Sequence, residues 1–291
     1  MSPIVSVGMP VYNAEQTLRA TLDSILGQTC ADLELVISDN ASTDATRAIC
    51  EEYVARDSRV RYLRNPENLG ASENYNNAFR QSHGKYFKWA SSNDTCHPVF
   101  LERCLDVLQR DESIVIVHPL TRIVDDNGRT EDLRDNLDLR QDDPCVRFRL
   151  LLERMRLNNI MNGVIRSDVL RRTPLIRPFY ASDVSLMAEL ALHGKFAEVP
   201  EYLFFRRMDA QTATSRKPAE EVAAHFNPKT RKAPKFSTLR VHAHYLGAIW
   251  RAPIGMRARW CLHRYVARTF IWQRAAVMAD VRQGLSSLMR A

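Results

Sequence analysis

Apolar and polar positions in the first half of the chain change period in a repeating way. A short β-branched run, Ile4–Gly8, is broken by Pro10 and Asn13, and Ala14–Leu26 then carries Leu18, Leu22, Ile25 and Leu26 at helical spacing. Leu33–Ser38 reads as a second strand that stops at the polar cluster Asp39–Asp44, where Ser42 or Thr43 can cap a helix through Ala48, Ile49 and Tyr53. Val60–Leu63 is a third strand. A helix through Tyr75, Ala78 and Phe79 follows, and Lys85–Ala90 is a fourth strand that ends at Ser91–Asp94. This β-α-β-α-β-α-β order predicts an α/β fold with a mainly parallel central sheet and helices on both faces. Ligands of such sheets sit beyond the carboxyl ends of the strands, where the polar clusters lie.

Beyond Pro98 the pattern loosens. It predicts a helix over Phe100–Gln109, a strand over Ile114–His118, an acid-rich loop over Asp125–Asp143 and a helix over Val146–Met155. A short strand near Gly163–Ile165, a helix over Ser182–Leu192 and a strand over Ala197–Phe205 come next. The proline-punctuated stretch that follows reads as a linker, so the expected division is a domain over 1–216, a linker over 217–238 and a helical extension over 239–291.

Charge sharpens that division. The chain carries +7 overall, yet His225–Ala291 holds 13 Lys and Arg against the single acid Asp280, a segment charge of +12 that leaves −5 for the remainder. A basic tail on an acidic body points to an anionic partner: lipid headgroups, nucleic acid or an acidic substrate. Six cysteines without a CxxC pair argue against zinc and against a dense disulfide framework. With no secretory pattern at the start and no apolar run of the ~18 residues a membrane span needs, a cytoplasmic location is expected.

Four polar clusters then stand at strand ends: PVYNAE (Pro10–Glu15), DNASTD (Asp39–Asp44), NLGASENYN (Asn68–Asn76) and SSND (Ser91–Asp94). In order and spacing they resemble the nucleotide-binding half of family 2 glycosyltransferases, strongly over 4–110 and more weakly to about Arg207. The resemblance implies a GT-A fold, Rossmann-like in its nucleotide-binding half. It also implies a nucleotide-sugar donor, UDP-linked by preference, and inversion at the anomeric carbon. It places Pro10, Tyr12, Asn13, Glu15, Asp39, Asn40, Asn68, Gly70, Asn74, Asn93 and Arg207 on the donor side. Asp39 would read the base, and Tyr12 would stack on it or pack beside it. Gly70 would allow close backbone approach or simply turn the chain.

Charge grows on the leaving diphosphate, and Mg²⁺ or Mn²⁺ bound by carboxylate and phosphate oxygens would neutralise it. Asp94 is the metal ligand the resemblance implies, although Asn93 and Ser91 stand where relatives often carry aspartate, and SSND could be a plain turn. A histidine that often follows is replaced in RRMDAQTATS. This puts Asp209 at or beside that slot, with His225 as the alternative. Arg206 and Arg207 could clamp phosphate or end the strand in solvent. Asp183, at the start of a helix, matches the catalytic base, and a first-turn acid favoured by the helix dipole is the plainer alternative. Glu189, further along, reads as structural.

The acceptor would be a glycan, a lipid-linked sugar or another hydroxyl. The tail, with Trp250, Trp260, Tyr265, Phe270 and Trp272 among arginines, suits peripheral contact with anionic lipid on the inner membrane face. Packing onto the body or pairing in an oligomer suits it equally. No motif supports specific nucleic-acid binding. The other reading is a degenerate nucleotide-binding or scaffold module without catalysis. An oxidoreductase is disfavoured because no G-x-G-x-x-G follows the first strand.

Overall fold

The structure, a computed structural model, describes residues 3–125, 127–208, 225, 228–229 and 235–289. Strands β1 (Val5–Val11), β2 (Leu33–Asp39), β3 (Val60–Arg64) and β4 (Tyr86–Trp89) alternate with helices α1 (Leu18–Leu26), α2 (Thr46–Arg56) and α3 (Ala71–Arg80). The next elements are β5 (Thr95–Cys96), α4 (Phe100–Arg110), β6 (Ile114–Val124), β7 (Thr130–Leu133), α5 (Pro144–Arg154), β8 (Val164–Arg166), α6 (Ser167–Leu170), α7 (Ser182–His193) and β9 (Lys195–Arg207). Three helices follow: α8 (Ser237–Arg251), α9 (Met256–Trp272) and α10 (Arg274–Met289). The strands form one sheet in the order β3-β2-β1-β4-β8-β6-β9-β5, with β7 paired to β6. β1 to β4 run parallel, β8 is antiparallel to both neighbours, and β6 and β9 are parallel. The expected α/β architecture is present, with helices on both faces.

Alternation along β1 sorts the two cores. Val5, Val7, Met9 and Val11 pack with Leu18, Leu22 and Ile25 of α1 and with Phe100 and Leu101 of α4. The opposite core joins Phe87 and Trp89 of β4 to Phe148 of α5, Leu186 of α7, Ile249 of α8 and Leu262 of α9. Gly8 lets α3 and β4 close on β1, because a Cβ there would lie 2.5 Å from the Phe87 ring.

Helix α8 packs with one face against the body. Its Arg251 donates to Glu189 Oε1 from Nε at 2.8 Å and to Oε2 from Nη2 at 2.9 Å, and His244 Nε2 lies 3.1 Å from Oε2. Glu189 is wholly buried on α7. Burial alone would push its carboxyl up, yet hydrogen bonds from Arg251 and His244 outweigh it and hold the group below its usual range. This supports the structural reading of Glu189.

Two local features go beyond the sequence reading. β6 runs on to Val124 and pairs with β7 inside the stretch read as a loop. This hairpin lies at a solvent-facing edge, joined by an Arg122–Asp132 ion pair, so it carries no apolar alternation to betray it. The helical extension breaks between its last two helices at Gln273. The proposed linker lies largely outside the described residues. No helix among the described residues is long and apolar enough to cross a membrane.

Arg251→Met should destabilise the fold by about 2 kcal/mol, below the ~3–5 kcal/mol of a fully buried pair because the Arg251 side chain is 39% exposed. Urea denaturation of single and double variants measures it. Equal losses for Arg251→Met in the wild type and in a Glu189→Leu background would show that the pair does not couple.

Candidate functional site

Register brings the polar clusters to one edge of the sheet. Pro10 pairs with Ser38 and Val11 with Asp39, so the loops after β1 and β2 leave side by side. The Ala90 N–H donates to the Gly8 carbonyl at 2.9 Å and brings the end of β4 to the same place. The loops satisfy their polar groups against one another. Asn13 accepts from the Thr43 N–H at 2.8 Å and Glu15 accepts from the Ala45 N–H at 2.8 Å. Asn40 donates to Asn68 at 2.8 Å and accepts from the Leu69 N–H, while Asn74 accepts from Ser38 at 2.7 Å and donates to the Val11 carbonyl. Asn40 and Asn74 are therefore buried girders beneath this edge of the sheet. Gly70 holds φ 84°, a left-handed conformation that favours glycine, and turns the chain into α3. Tyr12 is half exposed on this edge and Pro10 is buried in β1.

Asp39 is wholly buried, and both carboxylate oxygens are fully engaged. Oδ1 accepts from the Ser42 N–H and hydroxyl at 2.9 and 2.6 Å, and Oδ2 accepts from the Tyr62 hydroxyl at 2.6 Å and Arg64 Nη1 at 2.7 Å. Ser42 therefore serves Asp39 and does not cap α2. That helix begins after Ala45, and its first-turn Thr46 N–H is taken by Asp44 at 3.0 Å. The expected cap at Ser42 or Thr43 is corrected accordingly.

Asp94 lies at the end of β4, buried, with Oδ1 accepting from the Arg207 N–H at 2.9 Å. Burial raises its carboxyl to about 6, against opposing pulls from Arg206, the Arg207 N–H, Lys88 and Ser91. Lys88 is itself buried in β4 and donates to the carbonyls of Trp89 at 2.9 Å and Asn162 at 2.7 Å, with Phe100 and Phe204 rings beside its ammonium. A lone lysine within the apolar run YFKW was a visible signal that strand reading passed over. Asn93 is partly buried beside Asp94, and Arg207 is exposed at the end of β9. Asp209 lies outside the described residues.

Asp183 sits in the first turn of α7, where Asn158 Nδ2 donates to Oδ2 at 2.9 Å. Neighbouring Asn159 accepts from Arg206 at 2.5 Å and donates to Asp135 at 3.0 Å. Tyr75 lies on α3. Its phenol, pushed up chiefly by burial, lies near Ser91 and within electrostatic reach of Asp94, Arg206 and Asp183. Asp94 and Asp183 thus both lie within electrostatic reach of Tyr75. Tyr75, Lys88, Asn158 and Arg64 are additions to the residues expected from sequence. Among the described residues no group of three or more His, Cys, Asp or Glu could hold a metal ion.

Comparison with known proteins agrees with this fold. The family model described as "Glycosyl transferase family 2" matches residues 6–176. An uncharacterized glycosyltransferase of Haemophilus influenzae is 28% identical over 84% of this chain and 76% of its own length. A chondroitin synthase of Escherichia coli is 36% identical over 43% of this chain, a match that spans only 18% of that protein. Among solved structures, Staphylococcus aureus TarS 1–349 in complex with UDP-GlcNAc superposes with a TM-score of 0.67 at 18% identity, over 94% of this chain and 74% of that one. The mannosyltransferase PcManGT of Pyrobaculum calidifontis, in complex with GDP-Man and Mn²⁺, gives 0.55 at 18% identity over 98% and 88%. These two likenesses establish the fold.

The carboxyl of Asp94 yields a test of its role. Its folded value is raised, so the stability it contributes is present below about pH 4 and lost as pH rises through about 6. Asp94→Asn removes the burden of a buried charge and should gain about 1–2 kcal/mol over wild type at pH 8, with the gain vanishing near pH 4. Urea unfolding at the two pH values reads this. A loss of stability at pH 8 would mark Asp94 as a structural residue.

Proposed function

The chain belongs to glycosyl transferase family 2 and is a glycosyltransferase. From that premise we propose that it moves a sugar, with inversion, from a nucleotide diphosphate donor to a hydroxyl of a glycan or lipid-linked acceptor. UDP is the favoured nucleotide, and the carboxyl ends of β1, β2 and β4 form its site. The observation that carries this reading is the convergence of the loops after β1, β2 and β4 at one edge of the sheet, with the buried Asp94 held there by the Arg207 N–H.

Asp94 supports the donor half. A buried carboxylate raised by its burial gains from a neighbouring cation, and Mg²⁺ or Mn²⁺ is commonly held by one or two carboxylates plus substrate phosphates. Asp94 would hold the ion, with Asn93 beside it, and the ion would neutralise charge on the leaving diphosphate. Arg207 is suited to the same diphosphate. Tyr12, half exposed at the end of β1, is placed to meet the base. Asp39 reaches the base only if Tyr62 or Arg64 yields one of its hydrogen bonds.

Asp183 supports the acceptor half. The acceptor oxygen attacks the anomeric carbon, the bond from that carbon to the diphosphate oxygen breaks, and Asp183 takes the hydroxyl proton. The Asn158 amide fixes one carboxylate oxygen and leaves the other to face the acceptor.

Nucleotide diphosphate release from UDP-, GDP- and dTDP-sugars, with Mn²⁺ or with EDTA, tests this reading. Release is expected from one nucleotide class and to fall with chelation. Asp183→Asn should lower kcat for transfer by about 10²-fold or more while nucleotide affinity stays unchanged. Equal turnover for that variant would remove Asp183 as the base, and silence with every donor would remove the donor assignment.

A further inference from the structure

The outer face of α8 and α9 is unlike the rest of the surface. Leu246 and Trp250 on α8, and Trp260, Phe270, Ile271 and Trp272 on α9, stand exposed, Trp260 at 68% and Trp272 at 65%. An apolar groove of about 580 Å³ opens between the helices, lined by Leu239, Ala243, Val266 and Phe270 among others. Monomeric soluble proteins seldom leave so many large apolar side chains together in water.

Charge separates the candidate occupants. Residues 237–289 hold eight arginines and one acid, Asp280, which is engaged by the Thr238 N–H at 2.8 Å. Arg259 lies over the Trp250 ring at 5.2 Å and Arg268 over the Trp272 ring at 4.6 Å, so guanidinium groups surround and stack on the exposed indoles. A second copy meeting this face by twofold symmetry would bring arginine against arginine. Anionic headgroups meet it with opposite charge, while indoles and aliphatic side chains enter the interface beneath.

We propose that the α8–α9 face docks on an anionic lipid bilayer, with Trp250, Trp260, Ile271 and Trp272 entering the interface and Arg257, Arg264 and Arg268 in the headgroup layer. The helices lie on the membrane and do not span it. The opposite side of α8 is fastened to α7 through Arg251 and Glu189, so the docking face is one helix away from the helix that holds Asp183. This surface lies outside the donor site, and docking does not depend on the catalytic reading.

The test is co-sedimentation of the full chain with vesicles of neutral phosphatidylcholine alone or mixed with anionic phosphatidylglycerol, alongside tryptophan emission and sedimentation velocity without lipid. Binding to the anionic vesicles is expected, at least about tenfold tighter than to neutral ones, weakened by salt and accompanied by a blue shift as exposed indoles leave water. Trp260→Ser with Trp272→Ser should lose the shift and most of the binding. Arg264→Glu with Arg268→Glu should weaken binding by about fivefold or more for each arginine, whereas Arg47→Glu, exposed on α2, should not. Equal affinity for both vesicles, or no binding by a chain whose circular dichroism is native, overturns the proposal. Self-association that the tryptophan variants abolish, without vesicle binding, would assign the face to a second copy instead.

Discussion

A parallel sheet cannot close the hydrogen bonds of its own strand ends, and at the carboxyl edge of this sheet the loops close them for one another. The ladder continues beyond the strands through Asn40 N–H to the Val11 carbonyl at 2.9 Å and Asn65 N–H to the Asp39 carbonyl at 2.8 Å. Side-chain amides finish the work, with Asn65 donating to both Asn40 and Asn74. Buried amides left without partners would cost about 1–3 kcal/mol each, so each loop holds the next in a single arrangement. A preorganised floor of this kind suits the electrostatic demands of phosphate chemistry, because its dipoles need no rearrangement when a ligand arrives.

Three carboxylates rest on or near that floor in three different surroundings. Asp39 is saturated by four donors and joins the ends of β2 and β3. Asp94 is buried with weaker compensation and is raised to about 6. Asp183 is only partly buried and has one amide partner on Oδ2. Surroundings that differ so much are what the proposed division into structural, cation-holding and proton-accepting roles requires of chemically identical groups. The buried Lys88 ammonium matters here. Without it and Arg206, burial would drive the Asp94 carboxyl higher still.

The four-strand half was legible because its apolar runs are short, β-branched and bounded by polar clusters, and each loop motif stands at a strand end. Asp94 and Asp183 could be picked out by motif position. What they touch could not, because Tyr75, Lys88 and Asn158 come from separate elements that only tertiary packing brings together. Asn40 and Asn74 were read as ligand contacts, while their side chains face inward to one another's loops. The β6–β7 hairpin escaped notice for a different reason, since a short, exposed, acidic edge strand has no apolar face to read. In the tail, composition disclosed the arginines and indoles, but the Arg251–Glu189 contact that fastens α8 to α7 spans 62 residues.

The most direct measurement is calorimetric titration of UDP and GDP into the wild type and Asp94→Asn, each with Mn²⁺ and with EDTA, at pH 8. A nucleotide diphosphate that binds the wild type with Mn²⁺, and loses about tenfold or more in affinity on chelation or on Asp94→Asn, is the expected result. Binding that is indifferent to both, or absent for both nucleotides in a folded protein, would contradict a donor site organised around Asp94.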